Sequence, residues 1–188
     1  MEFRADDRGQ TVQIGAILLF GILVIGISMY QATVIPQQNE AVEFEAYQQA
    51  TADMLSLQND LTTTATRDVE AGRTVLTGAR YPSRTIFVNP PPPTGSLRTD
   101  PAENVTLRDV RAIGSEPTNV RDFWSTVGSN QQYEAGRVAF TPDYNHFDAP
   151  PVVLTGSGAY RTTDADVIPL TGQTLISGNR ITVVTLRG

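Results

Sequence analysis

The sequence predicts an α+β protein: an N-terminal transmembrane helix continuing into an amphipathic helix, followed by an antiparallel β-sandwich or open-barrel domain. Three observations predict it. Residues Val12 to Ile35 carry no charge. Across residues 37–66, apolar side chains recur at spacings of three and four. Past residue 72 that helical periodicity ends, β-branched residues become frequent, and eleven of the twelve prolines lie after residue 80. The segments divide at 1–9, a cytoplasmic leader; 10–35, the membrane helix; 36–71, an acidic amphipathic helix; and 72–188, a β-rich domain outside the cytoplasm.

The apolar run comes first. Its polar side chains are Gln13, Ser28, Gln31 and Thr33, mostly near its ends. Twenty-four helical residues span about 36 Å, against a hydrocarbon core of about 30 Å. A cleaved secretory signal is the rival, but its apolar core is usually about 7–15 residues. Tyr30 falls where an interfacial aromatic would sit, and Pro36 marks the outer interface. Arg4 and Arg8 precede the run and no Arg follows until Arg67, so the positive-inside tendency places the N-terminus in the cytoplasm. Gly21, Ser28 and Ala32 fall within about 40° of one another at 100° per residue, a stripe suited to helix packing. Gly15 and Gly26 form a second pair on another face.

The second helix carries Phe44, Tyr47, Thr51, Met54, Gln58 and Leu61 along one face, widened by Ala50 and Leu57. Acids and glutamines occupy the rest. Residues 36–66 hold Glu40, Glu43, Glu45, Asp53 and Asp60 without a single Arg, so five of the six net negative charges lie there. Pro36 can begin this helix in its first turn, making the two helices nearly continuous. The stripe is expected to pack on the β domain; a coiled coil is the alternative. The acidic helix is read as a stalk that lifts the domain off the membrane.

Expected strands are 84–88, 105–113, 137–141, 152–155, 167–170, 173–177 and 180–186, with Gly178-Asn179 as a two-residue hairpin turn. Asn89 to Gly95 reads as a stiff polyproline surface loop. Phe123, Trp124, Tyr144, Phe147 and Tyr160 are expected in core or interface packing.

Composition excludes much chemistry. Cysteine is absent, so disulfides and thiolate sites are impossible. All fourteen basic residues are Arg, which removes a Walker A lysine. The acidic balance argues against a nucleic-acid partner. Together with absent Lys and Cys, it suits a salt-loving archaeon. The single His, His146, could join a triad with Asp143 or Asp148, yet Ser157 in Gly156-Ser157-Gly158 does not fit a nucleophile elbow, and His146 reads as an exposed turn residue. Asp164, Asp166 and Asp143 lack the alternation and closing Glu of a calcium loop. No catalytic residue, metal site or cofactor is expected. Asn104-Val105-Thr106 makes Asn104 a candidate glycan acceptor.

The leader Asp6-Asp7-Arg8-Gly9-Gln10, followed directly by Val12-Gln13-Ile14-Gly15-Ala16-Ile17-Leu18-Leu19, resembles the class III signal peptide of archaeal type IV pilin-like proteins. The resemblance implies cleavage between Gly9 and Gln10 by a membrane peptidase; an uncleaved signal anchor is the alternative. It departs from many pilins at Ile14, where they carry Glu. The segments Phe140 to Asn145 and Thr171 to Asn179 resemble uncharacterised haloarchaeal surface proteins. The resulting expectation is a membrane-anchored, non-enzymatic cell-surface protein. Its partners would be membrane lipid, homo- or hetero-oligomers through the N-terminal helix, and surface-layer or other surface proteins. A monomeric anchored binding module and an extracytoplasmic hydrolase are the alternatives.

Overall fold

A computed structural model describes residues 7–67, 69–114, 116–172, 175–178 and 180–186, without the side chains of 7–10, 66, 177 and 180. The leader residues 1–6 and Asn179 of the expected Gly178-Asn179 turn lie outside the described residues. Helix α1 is a single element, Asp7–Arg67, with Pro36 inside it. The two expected helices are therefore one. Pro36 donates no hydrogen bond to the preceding turn, and the helix continues through it regardless.

The helix lives in two environments. From Thr11 to Tyr30 nearly every residue is exposed, with Leu19 at 70% and Ile22 at 69%. From Ile35 onward one face is buried: Ile35, Asn39, Glu43, Tyr47, Ala50, Met54 and Gln58, at spacings of three and four. The expected stripe is thus correct from Tyr47 upward. Below it, the buried face passes through Asn39 and Glu43 rather than Phe44, which is 45% exposed.

The β part is one open five-stranded antiparallel sheet in the order β1-β2-β3-β4-β5, closed into no barrel. Its strands are β1 (Thr94–Leu107), β2 (Gln131–Asp143), β3 (Val152–Thr155), β4 (Gly158–Thr162) and β5 (Val167–Pro169). A separate two-stranded ladder joins β6 (Ile176–Ser177) to β7 (Arg180–Ile181). The layer facing the sheet is α1, not a second sheet. Tyr47, Ala50 and Met54 from α1 pack with Phe140, Val152, Leu154 and Ala159 from β2, β3 and β4. The expected α+β arrangement, a long helix followed by an open antiparallel β domain on which the helical stripe packs, is what the structure has; no second sheet faces the first, because the stripe already covers its apolar face.

Strands β3 and β5 fall at the expected 152–155 and 167–170, and the expected 137–141 lies inside the longer β2; other elements differ. Residues 84–88 form a bend against α1, not a strand. β1 begins at Thr94, before the expected Val105, and runs through Pro101, which an edge strand tolerates because one side of its backbone needs no ladder partner. Residues 108–113 are not strand, and β7 ends at Ile181. Between β1 and β2 lies α2 (Thr118–Val127), absent from the sequence reading. Its apolar residues Val120, Phe123, Trp124 and Val127 follow the i, i+3, i+4, i+7 spacing that could have revealed it. None of its residues is buried. Phe123 and Trp124 pack on each other, with ring centroids 5.2 Å apart, and not in the core.

Candidate functional site

Two features organise the molecule: the exposed apolar length of α1, and a polar junction where α1 meets the sheet domain.

The junction centres on Glu43, fully buried on the inner face of α1. One carboxylate oxygen accepts hydrogen bonds from the Tyr81 hydroxyl and the Asn145 backbone N–H (3.1 Å). The other accepts the N–H groups of His146 (2.8 Å) and Phe147 (2.7 Å). Three successive N–H groups converging on one anion form a backbone nest. Asn145 closes the ring: its side-chain amide donates to the Tyr81 oxygen (2.8 Å) and to the Pro91 carbonyl (2.9 Å). Burial alone would push the Glu43 carboxyl up. The Tyr81 hydroxyl and the nest outweigh it and hold the group below its ordinary 4.5. Burial and the adjacent carboxylate push the Tyr81 phenol up to about 12, and the same causes, with Tyr47, push up Tyr144 to about 12.

Aromatic packing backs this polar ring. Phe147 meets Phe44 edge-on at 5.2 Å and Tyr47 at 5.6 Å. The Tyr47 hydroxyl donates to the Pro150 carbonyl (2.9 Å), and the Arg161 guanidinium lies over the Tyr47 ring at 5.3 Å. His146 is half-buried, not the exposed turn residue expected, and it serves the carboxylate through its backbone. The polyproline segment is also no free loop: Pro93 is buried, and its carbonyl accepts the Ala79 N–H at 3.3 Å.

A second clamp lies lower on the helix. The Gln31 amide donates to the Val88 carbonyl (2.8 Å) and accepts the Val88 N–H (3.0 Å). Those bonds occupy both backbone polar groups of Val88, which therefore pairs with a helix side chain and not with a strand. Tyr30 stacks on Phe87 with centroids 4.8 Å apart. Arg84 donates to Gln38 (2.7 Å), Asn89 (2.9 Å) and the buried Asn39 (3.3 Å).

The other expected positions are scattered. Gly9 and Gln10 lie in the first turns of α1, with their side chains outside the described residues. Gly21, Ser28 and Ala32 share the side of α1 that the sheet covers higher up, and a side chain added at Gly21 would meet nothing. Asn104 is exposed on edge strand β1, where the register shifts between Ala102 and Val105. Asp143 ends β2, and Asp164 and Asp166 lie in the β4–β5 turn. Among the described residues, no three acidic or histidine side chains converge in a way that could hold a metal.

Locally, Glu43 looks like one more acid on the solvated side of the helix, and that hides the junction. Its spacing of four from Asn39 and from Tyr47 was the available signal. Phe140 to Asn145, singled out for its resemblance, carries both core residue Phe140 and nest residue Asn145.

A relative from Archaeoglobus fulgidus, an uncharacterised protein, is 20% identical over 176 residues, which are 94% of this chain. The chain spans 29% of that relative's length. No protein-family model matches the chain, and no solved structure matches it. The chain thus has an archaeal relative and one helix long and apolar enough to cross a membrane.

Proposed function

We propose that this chain is a membrane-anchored, non-enzymatic cell-surface protein of pilin-like type, acting in filament assembly, adhesion or surface-layer contact. One observation carries the reading. A single helix exposes apolar side chains all round over Thr11 to Tyr30, then turns one face into the core of a sheet domain. A surface so apolar is stable in lipid or among like helices, and costly in water. The N-terminus is cytoplasmic and the sheet domain lies outside. The small-residue stripe at Gly21, Ser28 and Ala32 suits close helix approach in an assembly. Glu43 works as a fastener: its acceptor sites are filled by the chain's own donors, which makes it a poor acid, base or nucleophile.

Mass spectrometry of the native N-terminus tests the pilin-like part. The expected chain begins at Gln10. An intact Met1, or a cut after Ala32, removes that reading. Analysis of sheared surface filaments for this chain tests polymerisation.

A second reading, a monomeric anchored binding module, draws on α2. This amphipathic helix caps the long β1–β2 arm and leaves Phe123 half exposed. Presence in the membrane with absence from sheared filaments would favour it.

A further inference from the structure

We propose that the bend at residues 84–89 is a second membrane contact, with Ile86 and Val88 entering the outer edge of the bilayer beside Tyr30. This rests on the reading of α1 as a membrane span and adds where the bilayer ends and what else touches it.

Three observations carry it. Ile86 and Val88 are 73% and 74% exposed, although the intervening Phe87 is half-buried against Tyr30. Two large aliphatic side chains so open at a loop tip are disfavoured in water, and they adjoin the exposed apolar surface of α1. Second, their height on the helix is fixed. Gln31 grips the Val88 backbone at both its N–H and its carbonyl, and helical side chains lean toward the N-terminus, so Val88 lies level with the Tyr30 turn. From Val12 to Tyr30 the helix rises about 27 Å, close to the thickness of the hydrocarbon core. Third, polarity changes in the right direction. Arg84 is tied to Gln38 and Asn39, about two turns higher, about 12 Å further along the axis, where the headgroup region gives way to water. An apolar tip with a charged residue just above it is the pattern of an interfacial anchor.

The proposal also moves the outer boundary of the span from Pro36 to Tyr30. Ile35 is 1% exposed, so the protein and not lipid covers it. With the bend in the interface, the domain sits directly on the bilayer, and α1 is no free-standing stalk.

The chain has no cysteine, which permits clean single-site labelling. Nitroxides are placed at Ile86→Cys, Val88→Cys, Leu18→Cys in mid-span and Asn59→Cys, exposed about 40 Å beyond Tyr30 along the helix. The full chain is reconstituted in phosphatidylcholine nanodiscs. Collision with lipid-soluble oxygen is compared with collision with a water-soluble nickel complex. Labels at 86 and 88 are expected to favour oxygen, as Leu18 does, whereas Asn59 favours nickel. If 86 and 88 behave like Asn59 while Leu18 still reads lipid, the bend proposal fails and the anchor stands. If Leu18 also reads water, the anchor fails and takes the bend with it. If 86 and 88 are shielded from both reagents and show label–label broadening that fades on dilution with unlabelled protein, a second copy covers the patch and the proposal is overturned.

Discussion

The carboxylate of Glu43 accepts the backbone N–H of Phe147 at 2.7 Å across a separation of 104 residues. That bond and its neighbours fix the helix to the loop leaving β2. Replacing Glu43 by Ala leaves three N–H groups and the Tyr81 hydroxyl without their acceptor, and an unpaired buried polar group costs about 1–3 kcal/mol. Glu43→Ala is expected to lose about 2–5 kcal/mol, and Glu43→Gln less, since one oxygen remains. Chemical denaturation of the detergent-solubilised protein measures both. Equal stability of Glu43→Ala and the parent would refute the fastening role.

The same cluster sets a pH window. The folded carboxyl of Glu43 is held below its ordinary 4.5, so its contribution is present above that value and is lost as pH falls through the lower folded one. Tyr81 moves the other way: its phenol is raised from 10.0 to about 12, so its contribution is complete below pH 10 and disappears as pH rises through 12. Tyr144 behaves likewise. Phenolate absorbance followed with pH is expected to show late-titrating tyrosines that Tyr81→Phe and Tyr144→Phe remove one by one.

Gly156 turns the chain between β3 and β4 beneath the backbone of Val184. A Cβ there would collide with the Val184 carbonyl oxygen. Gly156→Ala must displace the segment 182–186 and is expected to cost about 1–3 kcal/mol. Gly172→Ala meets nothing within 4 Å and is expected to stay within about 0.5 kcal/mol of the parent. Thermal midpoints of the pair, with amide exchange over 182–186, decide it.

The two environments of α1 predict opposite answers to one substitution. Met54 is fully buried in the helix–sheet core, so Met54→Ala is expected to lose about 2–5 kcal/mol. Leu18 is 62% exposed on the lower helix, and Leu18→Ala is expected to leave the unfolding of the sheet domain unchanged. Near-ultraviolet circular dichroism against denaturant reads the domain in both variants.

How much of this the sequence discloses depends on how local each signal is. The lipid-suited run needs only the absence of charge over Val12 to Ile35. The helical stripe at Tyr47, Ala50 and Met54 needs only its own spacing. Strand β3 is a short apolar run, Val152-Val153-Leu154, opened by two β-branched residues, and is equally plain. The burial of Glu43 is different, because its partners Tyr81 and Asn145 to Phe147 lie far along the chain and only the folded path brings them together. Strand β1 was obscured by Pro101, whose meaning depends on the strand being at an edge. The bend at 84–88 looks like a strand by composition, and its pairing with Gln31, 57 residues away, is not legible locally.

On the proposed anchor reading, one helix serves lipid below Tyr30 and protein above it. Fractionation of cells expressing the full chain, with high-salt and alkaline washes before detergent, tests it most directly. The intact chain is expected to sediment with membranes or surface filaments through both washes and to be released by detergent. Recovery of the intact chain in the detergent-free soluble fraction, with Leu18 to Ile27 protected inside a globule, would contradict it.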